Sequence, residues 1–206
     1  MSEPARKRGR PRRLDREVGL EVAARLFWQH GYEGTSIADL TQAMGVTPPS
    51  LYATFGSKEN LYQQALDHNA ASQTRLRAAA LQAEIPAYEA LAFYLNDVAQ
   101  GISNPQNPRG CMVSTAVLQH AAENTAVAEA VAARREISIQ CVKARFDRAI
   151  SEGELPADTD TDTLARFYSA VVQGMSAQAC DGAPTAALQR LVAVALSAWP
   201  GKRPTV

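Results

Sequence analysis

Eight residues, "RKRGRPRR" at positions 6–13, hold Arg6, Lys7, Arg8, Arg10, Arg12 and Arg13 with no acidic side chain among them. Cations at that density suit one kind of chemistry, the neutralisation of a polyanion such as a nucleic-acid backbone. The whole chain of 206 residues balances 21 basic against 21 acidic side chains, so the cluster is a local excess in a formally neutral protein. Residues 14–66 oppose it. There Arg16, Arg25 and Lys58 stand against Asp15, Glu17, Glu21, Glu33, Asp39 and Glu59, a net of −3. A second stretch, "TPPSLYATFGSKENLY" (47–62), gathers the hydroxyls of Thr47, Ser50, Tyr52 and Thr54 beside one cation, Lys58. Hydroxyls bond base edges or phosphates, whereas the rings of Pro48 and Pro49 offer only apolar contact, as with a thymine methyl.

Catalytic material is scarce. Cys111, Cys141 and Cys180 are odd in number and form no CxxC pair, which argues against a disulfide framework and a structural zinc site. His30, His68 and His120 supply little for metal binding or general-base work. G-x-S-x-G, HExxH, P-loop and GxGxxG motifs are all absent from the sequence. An enzyme is therefore not expected, nor is a cofactor or a metal. Cys111 in "PRGCMV" is read at the start of a helix with Arg109 near, a setting that lowers a thiol pKa and makes it reactive toward oxidants or electrophiles. The bland reading is a small buried residue.

These groups need elements to hold them, and the pattern is helical throughout. Apolar residues make up 46% of the chain and charged residues 20%, the balance of a globular protein. No apolar run approaches the ~18–20 residues that cross a bilayer, and the basic start runs into charged residues where a signal peptide has its apolar core. The chain reads as cytoplasmic. Alternating strand patterns with hairpin turns are missing. Val18, Val22, Ala23, Leu26 and Phe27 mark a first helix, capped by Asp15 and ended by Gly31. Ser36 and Asp39 form a capping-box variant opening a short helix with Ile37, Leu40 and Ala43, which Gly45 breaks. Thr47 caps the next helix, Pro48 takes its first position, and Leu51 and Phe55 face inward. Two short helices about a glycine turn, packed on a first helix, form a helix-turn-helix.

The helix ending "FWQHGYEGTSIADL", the turn "AMGV" and the stretch "TPPSLYATFGSKENLY" resemble the DNA-binding domain of the TetR family of transcriptional regulators, in the form with proline in the recognition helix. The likeness is specific over residues 14–66. Beyond them it rests on all-α architecture and on two closing helices, "ARFYSAVVQGMSAQA" and "AALQRLVAVALSAW". It implies an all-α fold: a flexible basic arm (1–13), a three-helix DNA-binding domain (14–66), a ligand-binding and dimerisation bundle (67–200) and a short tail (201–206). It also implies a homodimer formed through helices near 162–180 and 185–199, meeting double-stranded DNA at an inverted repeat. Most such regulators are repressors released by a small-molecule effector.

The expected DNA-binding residues are Thr35, Ser36, Thr47, Pro48, Pro49, Ser50, Tyr52, Thr54 and Lys58, with Arg8, Arg10 and Arg12 from the arm. Many members carry histidine where Thr54 stands, at a position the resemblance associates with phosphate. Thr35 and Ser36 have capping as their other role, Tyr52 half-burial in the core, and Lys58 simple solvation. Arg8-Gly9-Arg10-Pro11 looks like an AT-hook core, suited to narrow A·T minor grooves, and also reads as a tail with only non-specific attraction. Further helices are expected near 58–83, 87–102, 111–121, 126–152, 162–180 and 185–199, with Tyr94, Cys111, Met112, Phe146, Phe167 and Met175 as candidate ligand contacts. A regulator answering to a small-molecule or thiol-reactive effector is the leading function. An effector-independent architectural DNA-binding protein is the alternative.

Overall fold

The structure, a computed structural model, describes residues 15–202, the side chains of 70–75 excepted. Arg8, Arg10 and Arg12, expected to meet DNA from the arm, lie outside the described residues. Eight α-helices and no strand appear among the described residues: α1 (Arg16–Gly34), α2 (Ile37–Met44), α3 (Pro48–Phe55), α4 (Lys58–Gln82), α5 (Ala87–Ser103), α6 (Thr125–Ser151), α7 (Thr161–Cys180) and α8 (Thr185–Ser197).

Local chemistry sets the first four. Asp15 accepts from the amides of Glu17 and Val18 at the start of α1, satisfying donors a helix leaves orphaned. Gly31, at φ 73°, interrupts α1 where the sequence predicts its end. Ser36 and Asp39 close a reciprocal capping box on α2, and Gly45 leaves that helix in the left-handed region at φ 65°. One expectation fails in detail. Thr47 is the cap residue of α3 but makes no capping bond; its Oγ1 lies 3.1 Å from the Ser50 hydroxyl instead. Pro49 removes the N2 donor, and the Thr47 hydroxyl turns to the Ser50 hydroxyl and not to the remaining Ser50 amide.

Two buried clusters result. Leu20, Ala23, Ala24 and Phe27 of α1 meet Leu40, Leu51, Phe55, Leu61 and Leu66, with Ile37 and Val46 packed at the edge. Leu51 is fully buried, worth about 1.5–3 kcal/mol relative to an exposed leucine. Val18, expected on the inward stripe, is exposed; the inward face runs through positions 20, 23, 24 and 27. Met112, Val127 and Val131 complete this first cluster from later in the chain. The second cluster fills the space between α5, α6, α7 and α8. Helix α4 runs from one to the other, so a single rigid element joins the helix-turn-helix to the bundle.

The helix expected over 111–121 does not form. Turns occupy this segment, and Val117 has φ 53°, the left-handed region that a β-branched residue avoids. Tertiary contacts override the periodicity here. Met112 is buried against the helix-turn-helix cluster, with Val113, Ala116 and Val117 packed beside it. The carbonyls of Val113 and Ala116 are taken by Arg135 Nη1, at 3.1 and 3.0 Å, rather than by a helical ladder.

Candidate nucleic-acid interface and effector cavity

Helix α3 buries Leu51 and Phe55 at i, i+4, which turns its other side outward. Thr47, Pro48, Pro49 and Tyr52 are exposed on that side and Ser50 is half-buried. Tyr52 is 45% exposed, so it points to solvent and not into the core. Thr54 Oγ1 donates to the Ser50 carbonyl at 2.9 Å, which commits its proton within the helix and leaves only its lone pairs for outside contact. With two prolines at its start, α3 offers few backbone donors, and contact falls to side chains.

Lys58 opens α4 beside this face. Its Nζ lies 4.3 Å from the centre of the Tyr32 ring, a cation–π contact that fixes the charge in place. Tyr32 stacks in turn on Phe27 and meets Tyr62 at a tilt, so the lysine is seated on the buried aromatic cluster. Partial burial pushes the ammonium pKa down, opposed by Glu33 and Asp39. An ammonium short of solvation beside a helix N-terminus is a receptor for a phosphate oxygen. Ser57 caps this helix by accepting from the Asn60 amide at 3.0 Å.

Ser36 and Thr35, expected together at the interface, separate here. Ser36 is exposed, with its hydroxyl and amide both bound to Asp39. Thr35 is completely buried and donates to the Gly31 carbonyl at 2.8 Å. Its side chain cannot reach a ligand, and its work is to hold the α1–α2 turn.

A cavity of about 290 Å³ opens between α4, α5, α6, α7 and the 111–114 segment. Tyr94 and Cys111 lie on its wall. Met112 belongs to the helix-turn-helix cluster, Phe146 and Met175 are fully buried in the bundle core, and Phe167 is 41% exposed on α7; none of these four lines the cavity. Burial pushes the Tyr94 phenol pKa up. Cys111 is at no helix start. Its Sγ accepts weakly from the amides of Val113 and Ser114, and the Arg109 guanidinium is spent on the Ala183 carbonyl. The helix-terminus argument for its reactivity therefore does not apply.

Charged groups on the wall are not legible in the sequence, because long-range packing brings them there. Arg77 pairs with Asp97 and Arg134 with Asp67, both at 2.6 Å. Arg135 also lines the cavity and has no carboxylate partner among the described residues. Nothing in its local sequence marks it.

Segment 110–124 ties the cavity to the helix-turn-helix. The Trp28 indole donates to the Gly110 carbonyl at 3.1 Å, and Glu33 accepts from the Ala121 amide and from Asn124 Nδ2, each at 2.7 Å. Those two bonds hold the Glu33 carboxyl below the usual carboxylate range. Gly110, at φ 84°, touches a third partner: a Cβ there would lie 2.5 Å from Cys180 Sγ on α7. A side chain does not fit.

The outer faces of α7 and α8 turn away from the bundle core. Phe167, Ala170, Gly174 and Ala177 are exposed or half-buried on α7, and Ala193, Val194 and Ser197 are exposed on α8. Tyr168, Val172 and Met175 of α7 point into the bundle. No helix among the described residues is long and apolar enough to cross a membrane.

Comparison with known proteins agrees with this architecture. Residues 20–65 match the family model "Bacterial regulatory proteins, tetR family", and residues 87–194 match "Tetracyclin repressor-like, C-terminal domain". The HTH-type transcriptional repressor ComR of Escherichia coli (strain K12) is 34% identical over 94% of this chain and 92% of its own. The repressor BdcR of the same organism is 32% identical over 84% and 83%. A solved cysteine mutant of the TetR family transcriptional regulator CifR, complexed with 26-bp double-strand operator DNA, superposes with a TM-score of 0.89. It is 43% identical and covers 93% of this chain and 100% of its own. The family models account for both halves of the molecule, and the chain belongs to the tetR family of bacterial regulatory proteins.

Proposed function

We propose that the protein is a homodimeric, sequence-specific transcriptional repressor of the cytoplasm that leaves its operator when a small-molecule effector binds. The observation that carries this reading is the α3 face: Thr47, Pro48, Pro49 and Tyr52 stand exposed on a helix whose other side is locked into the core, with Lys58 seated beside them. Such a helix enters the major groove, where Thr47 and Ser50 meet bases and Tyr52 and Lys58 meet phosphates, while Thr54, its proton held by the Ser50 carbonyl, has none to give a phosphate.

The outward small residues of α7 and α8 suit close packing against a second copy, which presents two α3 helices to successive grooves. The cavity beside α4 gives an effector a place from which to move the recognition helices. Selection of bound fragments from random duplexes tests the reading. An inverted repeat, bound at least ~10³-fold tighter than scrambled duplex, is expected. Equal binding to all duplexes would favour an architectural DNA binder.

A further inference from the structure

The cavity wall is unbalanced in one respect. Of the three guanidinium groups on it among the described residues, those of Arg77 and Arg134 are neutralised by Asp97 and Asp67. Arg135 instead gives Nη1 to two neutral carbonyls, Val113 and Ala116, in a segment that holds Val117 at positive φ. A half-buried cation bonded only to neutral carbonyls gains when an anion reaches it, because a carboxylate adds the opposite charge that a carbonyl lacks. Leu81, Val98, Ile102, Ile139, Val142 and Val172 give the lining an apolar side, beside polar groups such as Ser114, Ser138 and Gln173. At about 290 Å³ the cavity is at the small end of the ~300–1,000 Å³ range of ligand sites, the size for a small organic molecule.

The geometry points to a small monocarboxylic acid with an apolar body as the effector class, its carboxylate taking Arg135 from the Val113 and Ala116 carbonyls. The exchange has a consequence at the DNA-binding end. Arg135 pins the middle of the segment whose start holds Trp28 and whose end holds Glu33. Once those carbonyls are released, the strained turn at Val117 loses its anchor on α6. The segment is then free to withdraw Gly110 and Ala121 from α1. An acid that binds this released form better than the pinned one shifts the population toward it. The inference rests on the proposed effector response and names its chemistry.

Calorimetry on the full chain with matched probes, octanoate, octan-1-ol and octylamine, tests the assignment. Octanoate should bind at least about tenfold tighter than either other probe. Arg135→Gln should abolish that preference, and Arg135→Lys, which keeps the charge, should retain it. In wild-type protein saturated with octanoate, the Trp28 indole N–H resonance should move as its bond to Gly110 is lost. The Trp199 indole, bonded to the Lys202 carbonyl, should stay as internal reference. Equal affinity for octan-1-ol, a preference surviving in Arg135→Gln, or an unmoved Trp28 signal at saturation overturns the proposal. Octanoate binding with all these signs but no operator release supports the cavity assignment and instead removes the effector step from the proposed function.

Discussion

Replacing Arg145 with alanine should destabilise the protein by about 3–5 kcal/mol, the usual cost of removing one partner from a buried ionic cluster. Arg145 is 2% exposed on α6. Its Nη2 donates to the Ile85 carbonyl at 2.7 Å and to Glu154 at 3.2 Å, and its Nη1 reaches Glu152 at 3.4 Å. Glu154 also accepts the Ala87 amide at the start of α5, a helix whose own cap residue, Pro86, makes no capping bond. One turn along, Arg148 donates to the carbonyls of Gln82 and Ala83 at the end of α4. The pair therefore fixes the α4–α5 corner, and with it the far end of the helix that carries Lys58.

The cluster also sets a pH dependence. Burial raises the Glu154 pKa, but the Ala87 amide and Arg145 outweigh it, so the carboxyl sits below its ordinary value of 4.5. A depressed carboxylate stabilises the fold above its unfolded pKa and loses that contribution as pH falls through the folded value. Wild-type stability should decline below about pH 4.5, and Arg145→Ala should show a shallower decline there. Urea midpoints at one fixed protomer concentration measure both effects. A loss under ~1 kcal/mol at pH 7 would assign the corner's stability to apolar packing.

Removal of residues 2–13 should weaken operator binding on the order of a hundredfold at physiological salt and flatten the slope of log K against log salt by up to about 5. The expectation comes from charge accounting. The arm concentrates six cations, whereas residues 14–66 hold only Arg16, Arg25 and Lys58. Of these three, Arg16 is bonded to Gln64 and Lys58 sits on Tyr32. The helix-turn-helix thus has little charge of its own for releasing counterions. Fluorescence polarisation over a salt series reads the slope. An unchanged slope would mean that the arm leaves the phosphates untouched.

What the sequence made legible was local. Asp15, Ser36 with Asp39, Gly31 and Gly45 act on backbone groups a few residues away, so their spacing alone predicts caps and breaks. Leu40, Leu51 and Phe55 were readable because short helices with one apolar side have only one way to face. The 112–117 segment was not. Its apolar residues recur as on a helix, yet they pack on the helix-turn-helix while Arg135, some twenty residues later, claims the carbonyls. Arg135 and Trp28 were invisible for the same reason, since their partners lie 22 and 82 residues away. Phe146 and Met175 read as ligand contacts by residue type, and only three-dimensional packing distinguishes a core wall from a cavity wall.

The central claim is that the exposed start of α3, with Tyr52 and Lys58, is the surface that holds DNA. The most direct test is polarisation of the selected inverted repeat with the Tyr52→Phe, Lys58→Ala double variant, its dimer verified by light scattering. The variant should remain dimeric, bind roughly tenfold or more weakly, and lose about one unit of salt slope for the missing lysine contact. Wild-type affinity and slope in an intact double-variant dimer would contradict the account.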